Sequence, residues 1–68
     1  MQQYRTIPRT IEAIHATERK VYHIGGQQID MDLHVEEGEE VDKYLTLDGD
    51  AIIIHTGWMF RNKWEPVT

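Results

Sequence analysis

The stretch VYHIGGQQIDMDLHV, residues 21–35, contains two extended runs on either side of Gly25 and Gly26. A Gly-Gly pair supplies the positive φ angles that a two-residue hairpin loop requires. With this pair as the loop, Tyr22 faces Ile29, and side chains alternate between the two faces of the hairpin. The apolar face then consists of Tyr22, Ile24, Ile29, Met31 and Leu33. The sequence therefore predicts an antiparallel hairpin at the centre of the chain.

A second hairpin is indicated by YLTLDGDAIIIHT, residues 44–56, where Asp48 and Gly49 separate two β-prone runs. With these two residues as the turn, Leu45 faces Ile52 across the hairpin. The three consecutive isoleucines place apolar groups on both sides of the second strand. That pattern is typical of a strand that is central or covered on both faces.

The segment WMFRNKWEPV, residues 58–67, is predicted to be a closing strand. Strand alternation places Trp58, Phe60 and Trp64 on one face, and most of this face belongs in the core because so small a domain needs its large side chains inside. Trp, Met and Arg are enriched at the centres of protein interfaces. An exposed Trp58 together with Arg61 would therefore anchor a partner.

The segment RTIEAIHATERK, residues 9–20, fits two structures. Ile7, Ile11 and Ile14 have helical spacing, and several residues between them favour helix. The same stretch also alternates apolar and polar residues, as a strand does. The pattern alone leaves helix and strand equally open.

Length and composition restrict the kind of protein. The 68 residues contain no cysteine, so neither a disulfide framework nor a thiolate metal site is available. A domain of this size buries only about 60% of the surface of its unfolded chain. The fold must therefore rest on a well-packed sheet or on an oligomer that shares a core.

Two further patterns bear on location. No segment has the roughly 18 apolar residues of a membrane span, and the N-terminus lacks the apolar run of a signal peptide. We therefore expect a cytoplasmic protein that does not bind membranes.

Acidic residues are concentrated in one part of the chain. Residues 29–50 hold nine acidic side chains and one basic side chain, which gives −8 in a protein of net charge −5. Such a block disfavours nucleic acid and favours a basic protein surface. Its densest part surrounds Gly38 and is either an exposed, soluble loop or a docking surface. The candidate residues are Glu36, Glu37, Glu39, Glu40 and Asp42.

Asp30, Asp32 and His34 would share one face of a strand, where carboxylates and an imidazole could bind a metal ion. The hairpin register also places Arg19 opposite Asp32, so an exposed ion pair explains the same residues. We favour the ion pair and expect no metal site.

Catalysis has little support in the composition. The sequence contains no serine and no cysteine, and its threonines lie in no nucleophile motif. The segment IGGQQ, residues 24–28, lacks the spacing and the lysine of a phosphate-binding loop. We therefore expect no enzyme and no cofactor.

Three short pieces of the chain resemble known sequences. They comprise Tyr4, Arg5, Pro8, Ile11, Glu12, Ala13 and Ile14; Gly49, Asp50, Ile52 and Ile53; and Phe60, Lys63, Trp64, Glu65, Pro66 and Val67. In these pieces the chain resembles a family of small, mostly uncharacterised tailed-phage proteins. Members of that family open with Tyr-Arg-Lys-Lys-Pro and carry a central Pro-Gly-Asp-Trp turn.

The chain also departs from that family. Thr6 and Ile7 stand in place of the two lysines, and Asp48 and Ala51 replace the proline and tryptophan of the turn. The family's Cys-Lys-Pro-Asp loop is absent. The resemblance implies a compact, mainly β accessory protein made in an infected bacterium, and it favours strand for residues 9–15. It implies no activity and no catalytic residues.

Together these observations predict one small domain, residues 1–68, with a mainly β fold. We expect an antiparallel roll or open barrel of five to six short strands, with one short helix near residues 9–20 as the alternative. We expect a phage-encoded inhibitor or anti-defence protein that binds a basic surface on a host or defence protein in the bacterial cytoplasm. The alternative is a homo-oligomer that binds a small anionic ligand, such as a nucleotide signal, between subunits through Arg5, Arg9 and Arg19.

Overall fold

A computed structural model describes residues 2–6 and 9–67. Within these ranges the chain forms seven strands, one short α-helix and one turn of 3-10 helix, so the mainly β prediction is confirmed. The elements in chain order are β1 (Gln2–Thr6), β2 (Arg9–Ala16), β3 (Val21–Ile24), β4 (Gln27–Asp30), the 3-10 turn (Met31–Leu33), β5 (Lys43–Asp48), β6 (Ala51–Thr56), α1 (Gly57–Lys63) and β7 (Glu65–Pro66).

Five strands form one antiparallel sheet in the order β6-β5-β2-β1-β7, and β3 and β4 form a separate hairpin. The long strand β2 joins the two halves of the larger sheet. Its first part, up to Ala13, pairs with β1, and its last part, from Ile14 to Ala16, pairs with β5. The described strands do not close into a barrel, because β6 and β7 are opposite edges.

The hairpin of β3 and β4 has the predicted register. Tyr22 pairs with Ile29, and the loop consists of Gly25 and Gly26. Both glycines have positive φ angles, 58° and 76°, as the two loop positions of a type I′ turn require. The chemistry of the loop alone was therefore enough to predict this pairing.

The hairpin of β5 and β6 has a different register from the predicted one. Its loop is Gly49 and Asp50, so Leu45 pairs with Ile54 and not with Ile52. Gly49 has a φ of 63° and occupies the first loop position, where a type II′ turn needs glycine. Moving the loop by one residue changes each pair by two residues, so Leu45 still shares a face with the same isoleucines.

The strand that contains the three isoleucines is not central. β6 lies at the edge of the sheet. Ile52 and Ile54 pack against the core, whereas Ile53 on the other face is 38% exposed. The prediction of a central or doubly covered strand was therefore wrong for the position in the sheet and for one of its faces.

Residues 9–16 form strand β2, so the alternative of a helix near residues 9–20 was wrong. The helix-favouring alanines occupy positions where small side chains are needed, since Ala13 and Ala16 are fully buried beneath neighbouring elements. Pairing with strands on both sides outweighs their weak preference for helix.

Residues 57–63 form helix α1, so the predicted closing strand was also wrong, apart from the two residues of β7. Gly57, Phe60 and Trp64 recur at intervals of three and four residues and face the sheet, which is the spacing of one helix face. Helical geometry turns Trp58 outward, although strand alternation placed it beside Phe60.

Two apolar clusters lie on opposite faces of the larger sheet, because neighbouring residues Tyr44 and Leu45 of β5 belong to different clusters. The hairpin of β3 and β4 and the segment after it cover one face. Helix α1 covers the other. The buried members are Ala16, Ile24, Met31, Val35 and Leu45 in the first cluster, and Tyr4, Ala13, Tyr44 and Phe60 in the second.

The predicted apolar face of the first hairpin ends at Met31. The 3-10 turn interrupts the alternation there, and Asp30 caps the turn by accepting a hydrogen bond from the Asp32 backbone N–H at 3.0 Å. Leu33 is consequently 78% exposed, so its assignment to the core was wrong.

Candidate functional site

The segment between the 3-10 turn and β5 contains the acidic loop, residues 36–42, which is held in place by Arg19. The Arg19 guanidinium donates hydrogen bonds to the backbone carbonyls of Val35, Glu36 and Glu39 at 3.3, 2.6 and 2.8 Å. It also pairs with the carboxylate of Asp32 at 3.3 Å, which confirms the predicted ion pair. One rigid, planar side chain therefore fixes both ends of the turn around Gly38.

Glu39 belongs to the internal structure of the acidic loop. Its carboxylate accepts a hydrogen bond from the Glu36 backbone N–H at 3.0 Å and pairs with Lys43 at 3.4 Å. The backbone hydrogen bond, followed by the charge of Lys43, lowers the pKa of Glu39. Glu39 therefore stabilises the loop and is less available to a partner than predicted.

Asp42, at the end of the acidic loop, is the centre of an ionic cluster. Arg61 of α1 donates to both of its carboxylate oxygens, at 2.9 and 2.7 Å, and His15 Nε2 donates to one of them at 2.7 Å. These hydrogen bonds, from Arg61 and then His15, hold the pKa of Asp42 well below its usual range. The backbone N–H of Gly57 donates to the Asp42 carbonyl at 2.8 Å.

The ionic cluster rests on an aromatic stack. The His15 ring lies parallel to the Tyr44 ring with 4.2 Å between centroids, and the Arg61 guanidinium lies 5.8 Å from the same ring. Tyr44 stacks in turn on Phe60 at 4.3 Å. Asp42 and Arg61 therefore brace α1 against the sheet, and neither is free to pair with a partner's charge.

The remaining glutamates of the acidic loop are free. Glu36, Glu37 and Glu40 are exposed, and their carboxylates make no ion pair or hydrogen bond with any residue that the structure describes. Glu40 borders a shallow depression together with His15 and Arg61. Of the free glutamates, Glu40 thus lies close to Arg61 of α1.

Helix α1 presents two large apolar side chains to solvent. Trp58 is 62% exposed and Met59 is 57% exposed. Residues three apart on a helix are neighbours, so Trp58 lies beside Arg61, which pairs with Asp42 at the end of the acidic loop. We define the acidic surface as Glu36, Glu37, Glu40 and Trp58. Of the predicted partner-binding residues, these four are exposed and unpaired, whereas Glu39, Asp42 and Arg61 stabilise the structure.

The three arginines of the alternative ligand site are not brought together as a set. Arg5 of β1 pairs with Glu65 of β7 at 3.1 Å. Arg19 is engaged by Asp32 and the acidic loop, as described above. The side chain of Arg9 lies outside the part of the chain that the structure describes.

Two of the three residues considered as metal ligands, Asp30 and Asp32, make other contacts. Asp30 caps the 3-10 turn and Asp32 pairs with Arg19. Within residues 2–6 and 9–67, no three His, Asp or Glu side chains are arranged to hold a metal ion.

A cleft of about 530 Å³ opens where β2 and β5 separate beyond the pair of Ile14 and Leu45. In its wall, Thr46 Oγ1 and His55 Nε2 lie 2.8 Å apart. Burial, and then the charge of Lys63, lowers the pKa of His55. None of the described carboxylates bonds to His55, so this pair lacks the orienting group of a nucleophilic triad.

The observed roles of His15, Tyr44 and His55 were not predicted from the sequence. Their roles depend on the pairing of β2, β5 and β6, which brings together residues far apart in the chain. For Trp58 a signal was present, because the helical spacing of Gly57, Phe60 and Trp64 leaves it on the outer face.

Searches of protein-family models, of curated proteins and of solved structures found no match to this chain. The resemblance to tailed-phage proteins therefore stays a prediction. Of the helices that the structure describes, none has the length and apolar character needed to cross a bilayer.

Proposed function

We propose that this protein acts by binding another protein, and that the acidic surface meets a basic patch on that partner. The observation that supports this proposal most strongly is the set of three unpaired glutamates on a braced loop, with an exposed tryptophan on the helix that Arg61 and Asp42 join to the end of that loop. Carboxylates steer a basic partner and align it, and a tryptophan supplies apolar contact at the centre of an interface.

The bracing matters because association is opposed by the ordering of flexible groups. Arg19 holds the backbone of the acidic loop, and the pair of Asp42 and Arg61 holds α1 next to it. The acidic surface therefore needs little rearrangement on binding. Its free charges lie in water, where they affect the association rate and its salt dependence more than the stability of the fold.

The same features favour binding over catalysis. The chain has no serine or cysteine nucleophile, and the described threonine-histidine pair has no orienting carboxylate. We propose accordingly that the protein is not an enzyme and requires no cofactor.

The biological setting is proposed from the resemblance to tailed-phage proteins. This resemblance supports a phage-encoded accessory protein that acts in the cytoplasm of an infected bacterium. We propose that the partner is a host or defence protein with a basic surface, and that binding inhibits it.

The test is affinity capture from a bacterial lysate with the tagged protein, followed by titration of the purified partner. A variant with Glu36→Gln, Glu37→Gln and Glu40→Gln removes the free charges of the loop. A matched variant with Glu12→Gln, Asp48→Asn and Asp50→Asn removes three exposed charges elsewhere. We expect the first variant to lose at least about tenfold in affinity and the second to lose little. Equal affinities for both variants and the unaltered protein would refute the proposal.

A further inference from the structure

Strand β6 is an open edge of the larger sheet. It pairs with β5 on one side, and on the other side no described strand continues the sheet. An edge strand presents a row of backbone N–H and C=O groups that can pair with another strand. Sheets usually protect such an edge with charges, proline, a bulge or a very short strand.

The two edges of this sheet differ in that protection. β7 has two residues, of which one is Pro66 and the other, Glu65, pairs with Arg5. β6 has six residues, Ala51–Thr56, with no proline and no charged side chain, and half of them are isoleucine. A strand of this length and composition is a template for pairing.

We infer that two copies of this chain associate through β6, which pairs antiparallel with β6 of the second copy to form one continuous sheet. The partner is thus a second copy of the chain. The inference does not depend on the proposed function. The pairing edge is the side of β6 that faces away from β5, and it contains none of the residues of the acidic surface.

Symmetry restricts the register of this pairing, and the matching of isoleucine with isoleucine selects one of the registers that it allows. A two-fold axis perpendicular to the sheet keeps each face on its own side, so only residues of the same face can oppose each other. With the axis at Ile53, this residue faces its own copy, and Ile52 faces Ile54 of the second copy. Isoleucine then meets isoleucine on both faces, and Ala51 lies opposite His55. Cross-strand pairs of β-branched residues stabilise sheets.

The surface around β6 supports the same partner. Of the six large apolar side chains that are exposed among the described residues, three that are not part of the acidic surface belong to β5, β6 and α1: Leu47, Ile53 and Met59. Met59 borders a depression between α1 and β6. The protein carries a net charge of −5, yet β6 itself is uncharged, so two copies can meet there without placing like charges in contact.

Sedimentation equilibrium of the 68-residue chain tests this inference directly. Between about 1 μM and about 1 mM, the range in which small interfaces associate, we expect the mass to rise from one chain to two. A mass of one chain throughout that range would overturn the inference.

Two substitutions to lysine test whether the dimer interface lies at β6 or at another apolar surface. Ile53→Lys would place two ammonium groups opposite each other at the two-fold axis, and we expect it to weaken dimerisation at least about tenfold. Leu33→Lys makes the same change at a more exposed apolar residue away from β6, and we expect it to leave dimerisation unchanged. Circular dichroism confirms that each variant is folded. Dimerisation of folded Ile53→Lys at the affinity of the unaltered protein would overturn the inference.

A charge-swap experiment separates pairing at β6 from a general loss of stability. Ile53→Lys and Ile53→Glu chains are each expected to be monomeric alone, because like charges then oppose each other. When the two are mixed, a lysine faces a glutamate across the axis, and we expect dimers to return. A mixture that stays monomeric, although the unaltered protein dimerises, would contradict the proposed register.

Discussion

Arg61 and Asp42 form a two-point ion pair that joins helix α1 to the end of the acidic loop, with N–O distances of 2.9 and 2.7 Å. His15 of β2 donates a further hydrogen bond to the same carboxylate. Three elements distant in the chain therefore meet at one side chain. The position of the exposed Trp58 relative to the free glutamates depends on this junction.

The junction predicts how stability depends on pH. The pKa of Asp42 is held well below its usual range in the folded protein, by Arg61 and then by His15. Its ionised form therefore adds stability above the unfolded pKa of about 4, and this contribution is lost as pH falls through the folded pKa. We expect Asp42→Asn to have a lower Tm than the unaltered protein at pH 7, by about 2–5 °C, and the difference to shrink below about pH 4.

The measurement is a series of thermal unfolding curves from neutral to acidic pH. Asp48→Asn is the matched control, since this carboxylate is exposed and has no partner among the described residues. The account is wrong if the Tm difference between Asp42→Asn and the unaltered protein is the same at every pH.

Gly57 provides a sharper test of the same junction. Alanine normally stabilises a helix by about 1 kcal/mol relative to glycine. At Gly57, however, an added Cβ would overlap the carboxylate of Asp42. We expect Gly57→Ala to lower the free energy of unfolding by about 1 kcal/mol. In the Asp42→Ala background the same substitution should be neutral or stabilising, and a double-mutant cycle from denaturant unfolding measures the difference.

Arg19 predicts the mobility of the acidic loop. Its planar group donates to three carbonyls from two separate nitrogens, whereas the three N–H groups of lysine lie on a single nitrogen and cannot keep this geometry. We expect Arg19→Lys to speed hydrogen exchange at residues 36–40 by about tenfold and to leave the strands unaffected. Arg5→Lys, which alters another ion-paired arginine far from the loop, serves as control. Unchanged exchange in Arg19→Lys would show that the loop is held by other contacts.

The two tryptophans are expected to differ in their structural roles. Trp64 stacks on Phe60 with 5.9 Å between ring centroids and packs against the second cluster, whereas Trp58 is mostly exposed. We expect Trp64→Ala to cost about 2–4 kcal/mol of stability and Trp58→Ala less than about 0.5 kcal/mol. Chemical denaturation of both variants provides the comparison, and equal losses would place Trp58 in the core.

The sequence predicted those parts of the fold that depend on local chemistry. The register of β3 and β4 follows from Gly25 and Gly26, because both loop positions need positive φ angles. At the second turn the same reasoning chose Asp48 and Gly49, although a single glycine can occupy either loop position. Gly49 occupies the first loop position and not the predicted second one, which changes the residue pairs but not the faces.

Other parts depend on contacts between distant residues and could not be read from local patterns. Residues 9–16 suit helix and strand equally, and only pairing with β1 and β5 decides for strand. The acidic block was visible from composition. The composition did not show which of these acidic residues are free, because the partners of Asp42 and Glu39 are set by the tertiary fold.

The salt dependence of partner binding tests the central claim most directly. The purified partner is titrated with the unaltered protein and with the Glu36→Gln, Glu37→Gln, Glu40→Gln variant at low and high salt. If the free glutamates meet a basic patch, the affinity of the unaltered protein falls as salt rises, and the variant binds more weakly with a shallower salt dependence. Equal affinity and equal salt dependence for the two proteins would contradict the claim that the acidic surface is the binding site.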